Sequence, residues 1–129
     1  KMDFGTKVHQ VLEQLNFKEP KLEYIPENIR RKVEAFINSS LVKENINGNF
    51  YPEYEFVDTN ENTHGIMDLV IEKDEKLIIV DYKLKNIDDE NYDKQLNGYR
   101  AFLKKKTNKQ VECYLYSIID EMFRKIKEQ

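Results

Sequence analysis

The chain has 129 residues, of which 35 % are charged and 40 % are hydrophobic, a content typical of one domain with a single core rather than of a disordered chain. The formal net charge is −3, so no overall positive field attracts nucleic acid, and a polyanion must be bound by local basic groups or through metal. The one cysteine, Cys113, excludes a disulfide framework and a cysteine-ligated zinc site, which favours a cytoplasmic location. No apolar run in the sequence is long enough to span a membrane.

The first half of the chain predicts two helices followed by a strand. Helical periodicity begins near Thr6 and produces a single apolar stripe. A connector with two prolines, residues 18–26, leads to the second helix, residues 26–41. Residues 50–58 are predicted as a strand, and Pro52 makes it an edge strand or a bulged one.

The second half of the chain predicts a hairpin, a third helix and a further strand. Their ranges are 62–72 and 76–84 for the hairpin strands, 86–106 for the helix and 110–118 for the strand. The periodicity of residues 121–126 does not distinguish a short strand from a helix. This order of elements predicts an α/β fold in which a mixed sheet is flanked by helices.

Each strand of the predicted hairpin carries an aspartate in an apolar run, which is costly unless a cation offsets the charge. Alternation places Asp81 and Lys83 on one side of the second strand, roughly 6.5–7 Å apart, with the backbone carbonyl of Tyr82 between them. If the hairpin pairs in register, Asp68 lies beside Asp81, and a divalent cation would keep both carboxylates ionised. Such oxygen ligands suit Mg²⁺ or Mn²⁺, and a nearby lysine can stabilise charge on a phosphate, as metal-assisted phosphodiester hydrolysis requires.

These residues also have plainer interpretations. An Asp-x-Lys pair at a strand end is often a solvated salt bridge of small consequence. His9 lies at the flank of an apolar stripe, where a histidine more often lines a cleft, although a neutral imidazole suits a Mg²⁺ or Mn²⁺ site. Gln95 and Tyr99 share one helical face and either pack at its margin or contact a phosphate or base. Arg100, the next residue, is a candidate for contacts with backbone phosphates.

Six short motifs follow one another along the chain. They are Gly5–His9; Phe36, Ser39 and Leu41; Glu53 and Phe56; Gly65, Asp68 and Leu69; Val80–Lys83; and Gln95 with Tyr99. Their order resembles the RecB-like branch of the PD-(D/E)XK nucleases, and most closely the C-terminal nuclease domain of AddA-type helicase–nuclease subunits. Each motif is weak by itself, but together they cover nearly the whole chain.

The resemblance implies a restriction-endonuclease-like fold with a central mixed sheet, and it implies roles for the matched residues. The metal ligands would be His9, Asp68, Asp81 and the backbone carbonyl of Tyr82. The catalytic residues would be Asp68, Asp81 and Lys83. Gln95 and Tyr99 would support the site and contact DNA, and Glu53 would be an accessory acidic residue.

The resemblance also implies a cofactor and partners. We expect Mg²⁺ or Mn²⁺ and no iron–sulfur cluster, because the cysteines that hold such a cluster in some relatives are absent. We expect residues 1–129 to be one nuclease domain excised from a longer helicase–nuclease chain. It would act as an exonuclease on single-stranded DNA, delivered by the helicase part or by a partner subunit, in recombinational repair. Two other interpretations stay open: a catalytically silent nucleic-acid-binding module with this fold, and a protein-interaction domain whose aspartates merely pair with lysines.

Overall fold

Five β-strands and four α-helices make up residues 2–129, the part of the chain that the computed structural model describes. In chain order they are α1 (Phe4–Glu13), α2 (Glu27–Ile37), α3 (Ser40–Glu44), β1 (Asn49–Asp58), β2 (Thr63–Glu72), β3 (Lys76–Lys83), α4 (Asn91–Lys104), β4 (Gln110–Ser117) and β5 (Met122–Ile126). The second helix, predicted for residues 26–41, ends at Ile37, and a separate short helix, α3, begins at Ser40 because the side chain of Ser39 caps it by accepting from the Val42 backbone N–H. The undecided segment is the strand β5. Across this described part, no helix has both the length and the apolar character needed to cross a bilayer.

The strands form one sheet in the order β1-β2-β3-β4-β5. Neighbouring strands are antiparallel except β3 and β4, which are parallel. A parallel pair needs a crossover connection, and α4 supplies it. The predicted α/β fold, a mixed sheet flanked by helices, is therefore confirmed.

The two faces of the sheet are covered by different helices. Helices α1 and α2 pack on one face through buried residues such as Leu12 and Phe36, and α4 packs on the other through Leu96 and Phe102. The central strand β3 is buried on both faces from Leu77 to Tyr82, which explains why its sequence is mostly a continuous apolar run rather than an alternating one.

The helices α1 and α4 do not begin at the residues that the sequence periodicity predicts. The first, α1, begins at Phe4, before Thr6, because the side chain of Asp3 caps it by accepting a hydrogen bond from the Thr6 backbone N–H at 2.8 Å. The last, α4, begins only at Asn91, and Asn86, where the predicted helix begins, has a φ of 63°, a left-handed conformation that an α-helix excludes.

Strands β2 and β3 diverge at one end, and we call this place the fork. Their pairing ends at Leu69 and Val80. Beyond these residues β2 continues beside β1, whereas β3 continues beside β4. The first residues past the last pair are Asp68 and Asp81, so the fork contains both aspartates of the hairpin.

Candidate active site

Asp68 occupies the gap where the two strands separate. Its Oδ2 accepts a hydrogen bond from the backbone N–H of Tyr82 at 2.8 Å, which replaces a ladder bond that β2 no longer provides. Its Oδ1 lies 3.2 Å from Nε2 of His9. The side chain is 13 % exposed. The carboxylate is therefore held in one orientation between a backbone donor and an imidazole.

His9 reaches the fork from α1. The helix is anchored on the sheet by the fully buried Val8 and Leu12, and the imidazole stands edge-on to the Tyr82 ring with 5.5 Å between centroids. Gly5, in the first turn of α1, lies against the segment after β3: a Cβ at this position would lie 2.8 Å from Cδ1 of Leu84, the outer end of an exposed side chain that can turn away.

Glu53 completes a group of three ligand-type side chains. It lies in β1 opposite Asp68, and its Oε2 is 3.7 Å from Nε2 of His9. Its φ of 54° is a left-handed conformation that costs a residue with a Cβ about 1–2 kcal/mol. Such strain within a strand is typical of a functional position. The structure places Glu53 within the ligand group itself rather than at its margin.

Asp81 and Lys83 reach the fork from the opposite face of the sheet. Their side chains meet as the strand alternation predicts, with 3.0 Å between Nζ of Lys83 and Oδ2 of Asp81. Asp81 is only 5 % exposed. The ammonium group of Lys83 also lies over the ring of Tyr92, 4.3 Å from its centroid. The His9 group lies on the α1 side and the Lys83 group on the α4 side, so the site is assembled from both layers of helices.

The fork concentrates negative charge. Burial, followed by the charge of Asp68, raises the pKa of Asp81 to about 6, although Lys83 acts in the opposite direction. Burial, followed by the charges of Glu13 and Asp68, also raises the pKa of Glu53. Contact with the Asp68 carboxylate raises the pKa of His9, against the effect of burial. The raised pKa values of Asp81, Glu53 and His9 all show that the fork attracts an added positive charge, whether a proton or a metal ion.

Gln95 and Tyr99 lie beside the fork on α4. The side-chain amide of Gln95 donates a hydrogen bond to the Tyr99 hydroxyl at 3.1 Å, and this hydroxyl donates to the Ile66 backbone carbonyl at 3.4 Å. The Tyr99 ring packs against Phe56 with 5.6 Å between centroids. After burial, the charge of Asp81 is the next cause that raises the pKa of Tyr99, which shows that the phenol is close to the fork.

Arg100 is placed elsewhere, and the structure does not support the phosphate contact expected from the sequence. The residue is 4 % exposed, and its guanidinium donates to the backbone carbonyls of Val111 and Ile126 at 3.2 and 2.9 Å. One step along a helix rotates a side chain by about 100°, so the residue after Tyr99 points into the sheet layer. Arg100 joins α4 to β4 and β5.

The family model of the PD-(D/E)XK nuclease superfamily matches residues 18–128. The chain belongs to this superfamily. Among curated proteins no match to the chain is found. The matched range contains Glu53, both aspartates of the fork and Lys83, whereas His9 on α1 precedes it.

The signature that names the PD-(D/E)XK superfamily fits the fork. Asp68 takes the place of the first aspartate, and Asp81, Tyr82 and Lys83 form the D-x-K part. Met67 stands where the signature has proline. The two halves are far apart in the sequence because the paired part of the β2–β3 hairpin lies between them, and they meet in space where its two strands diverge.

Nucleases of the PD-(D/E)XK superfamily use divalent metals, and the residues of this domain fit such an ion. The ligand atoms of His9, Glu53 and Asp68 lie within 4.8 Å of one another. Nε2 of His9 and Oδ2 of Asp81 are buried atoms without a well-aligned hydrogen bond, although charged neighbours lie 3.0–3.2 Å away. One imidazole with carboxylate oxygens suits Mg²⁺ or Mn²⁺.

Two further residues, Glu13 and Tyr92, lie beside the ligand group and beside Lys83, respectively. Glu13 lies one helical turn after His9, and its charge contributes to the raised pKa of both His9 and Glu53. The i, i+4 spacing from His9 was a signal that could have revealed it. Tyr92 lies one turn before Gln95, but only the fold shows that its ring meets Lys83.

Proposed function

We propose that the domain is a Mg²⁺- or Mn²⁺-dependent deoxyribonuclease that hydrolyses phosphodiester bonds. The observation that carries the proposal is the fork, which brings Asp68, Asp81 and Lys83 of a PD-(D/E)XK superfamily member to one place. A purely structural Asp-Lys pair accounts for Lys83, but it does not account for the ligand group around His9 on the other side of the strand.

The roles follow from where each side chain lies. His9, Glu53 and Asp68 would hold a divalent cation, and we keep Asp81 and the backbone carbonyl of Tyr82 as further ligands. When bound, such a cation supplies Lewis-acid chemistry: it neutralises the phosphate and acidifies a water molecule. Lys83, 24 % exposed at the edge of the site, stabilises the charge that develops on the phosphate. Gln95 and Tyr99 form the α4 wall that contacts the DNA.

The finer assignment is part of the same proposal. We infer a RecB-like nuclease domain of the AddA type that degrades single-stranded DNA from an end, in the cytoplasm, during recombinational repair. The support is the order of the six motifs along the chain. A helicase region of the same longer chain, or a partner subunit, would deliver the strand.

The first experiment combines calorimetric titration of Mn²⁺ with cleavage of labelled single-stranded DNA. The variants are Asp81→Asn, Lys83→Met and, as a matched control, Asp58→Asn. Asp58 is also a buried carboxylate paired with a lysine, at 3.2 Å from Lys105, but it lies outside the ligand group. We expect the control to bind and cleave like the wild type and Lys83→Met to bind Mn²⁺ without cleaving.

The outcomes separate the alternatives. If the wild type binds Mn²⁺ but cleaves no DNA, the nuclease proposal is wrong and the silent nucleic-acid-binding module takes its place. If the wild type binds no Mn²⁺, the aspartates only form structural pairs with lysines, as in a protein-interaction domain. Linear and circular single strands test the finer assignment, because an enzyme that works from an end leaves circles intact, and cut circles would contradict an exonuclease.

A further inference from the structure

The ammonium group of Lys83 is held from two sides. Oδ2 of Asp81 lies 3.0 Å from Nζ, and the ring centroid of Tyr92 lies 4.3 Å from it. The second distance is well within the range of about 6 Å in which a cation is attracted to the face of an aromatic ring. Tyr92 is partly buried, and Lys83 is 24 % exposed, so water does not fully screen the contact.

The ring is itself fixed in place. Tyr92 lies in the first turn of α4, and this turn is anchored to β5 by Arg124. The guanidinium of Arg124 donates to both carboxylate oxygens of Asp93, at 2.7 and 3.2 Å, and to the backbone carbonyl of Ile87. A bidentate pair of this kind restrains orientation as well as distance. The first turn of α4, which places the Tyr92 ring beside Lys83, is therefore restrained by contacts with β5.

The two groups that contact the ammonium of Lys83, the Asp81 carboxylate and the Tyr92 ring, would have different roles during the reaction. If Asp81 is a metal ligand, its carboxylate is shared and its hold on the ammonium weakens. The ring of Tyr92 has no competing role and keeps the ammonium at the fork. We propose that Tyr92 is a positioning residue for Lys83, an inference that rests on the proposed nuclease function. The ring face, and not the hydroxyl, is the group that acts.

Substitutions at position 92 separate the ring from the hydroxyl. We expect Tyr92→Leu to lower kcat by about two- to thirtyfold, the effect of losing one cation–π contact, while KM for DNA and the affinity for Mn²⁺ stay unchanged. We expect Tyr92→Phe to keep nearly the wild-type kcat. A pentafluorinated phenylalanine at this position keeps the shape of the ring but reverses its charge distribution, and it should reproduce the loss without disturbing packing.

Tyr114→Leu is the matched control, because Tyr114 is also partly buried and has Lys125 over its ring, 5.9 Å from the centroid, outside the site. It should leave kcat unchanged. An unchanged kcat in both Tyr92→Leu and the pentafluorinated variant would overturn the inference. Equal losses in Tyr92→Phe and Tyr92→Leu would do the same, since they would show that the hydroxyl acts.

A spectroscopic measurement does not depend on cleavage. The ring current of Tyr92 should move the NMR signals of the Lys83 ε-methylene group upfield in the wild type and in Tyr92→Phe, and to ordinary values in Tyr92→Leu. If the wild type shows the upfield signals but cleaves no DNA, the nuclease proposal fails and the contact stands. If the wild type cleaves DNA but its signals are ordinary, the inference fails and the nuclease proposal stands.

Discussion

Replacing Asp81 by asparagine is expected to stabilise the fold at neutral pH in the absence of divalent metal. Asp81 is 5 % exposed, and burial together with the charge of Asp68 raises its pKa from 3.8 to about 6. Asparagine has nearly the same shape and carries no charge. It therefore removes the cost of burying a charge at this position and the repulsion from Asp68.

The sign follows from the direction of the pKa change. Since the folded protein holds the Asp81 proton more tightly than the unfolded chain, protonation favours the fold. This stabilisation is complete below pH 3.8 and is lost as the pH rises through about 6. A pKa change from 3.8 to about 6 corresponds to about 3 kcal/mol. We expect Asp81→Asn to gain up to about this free energy of unfolding at neutral pH and little in acid.

Urea denaturation at a series of pH values in EDTA measures the difference between variant and wild type, and the titration of other groups largely cancels in that difference. Asp58→Asn is the matched control, for which the expected change in the free energy of unfolding has the opposite sign. Burial acts to raise the pKa of Asp58, but hydrogen bonds from the Lys105 side chain and the Glu61 backbone N–H outweigh it and lower the pKa. This control should lose stability at neutral pH.

Two results would refute the reasoning. One is an Asp81→Asn variant that is no more stable than the wild type at neutral pH. The other is a gain of the same size at pH 4 and at neutral pH, because a gain without pH dependence cannot come from a titrating carboxylate. Equal behaviour of Asp81→Asn and Asp58→Asn would show that the fork imposes no special charge penalty.

The remaining predictions concern metal affinity and the two residues of α4. Glu53→Gln should weaken Mn²⁺ binding at least tenfold by calorimetry while the fold persists, and unchanged affinity would remove Glu53 from the ligand group. Arg100→Met should lower the free energy of unfolding by about 2–4 kcal/mol, because it breaks buried hydrogen bonds of a charged group, without changing the salt dependence of DNA binding. Tyr99→Phe should lower the rate of DNA cleavage and leave the free energy of unfolding nearly unchanged, since the hydrogen bond from Gln95 to the Tyr99 hydroxyl, at 3.1 Å, lies at the rim of the fork. A loss of stability as large as the loss of activity would show that the hydroxyl serves packing.

The parts of the fold that sequence could predict are those set by local patterns. Alternation along β3 is sufficient to place Asp81 and Lys83 on one side, and the short polar turn after β2 is sufficient for a hairpin. The segment that forms β5 remains ambiguous because five residues hold too few periods to separate a strand from a helix. Its pairing with β4, from Ser117 to Cys113, decides the matter through tertiary contact.

The parts that sequence could not predict depend on which neighbours a strand keeps. The fork exists because β2 continues with β1 while β3 continues with β4, and no pattern within either strand marks that separation. The left-handed φ of Glu53 is likewise invisible in a segment that otherwise alternates as a strand. The predicted phosphate contact of Arg100 was wrong for a simpler reason. Helical rotation turns Arg100 away from the face that carries Tyr99, and this argument needs only the sequence.

Three unfavourable features coincide at the fork, although left-handed φ values also occur elsewhere in the described residues, at Asn62, Asn86 and Glu121. A raised pKa at Asp81, a raised pKa at Glu53 and a left-handed backbone at Glu53 each reduce the stability of the fold at neutral pH. Both carboxylates lie where the sheet ladder divides and Asp68 replaces a missing backbone partner. A divalent cation would relieve both charge penalties at once, whereas separate lysine pairs would leave Glu53 and Nε2 of His9 unexplained. The charge penalties at the fork thus support a metal-dependent site independently of the family match.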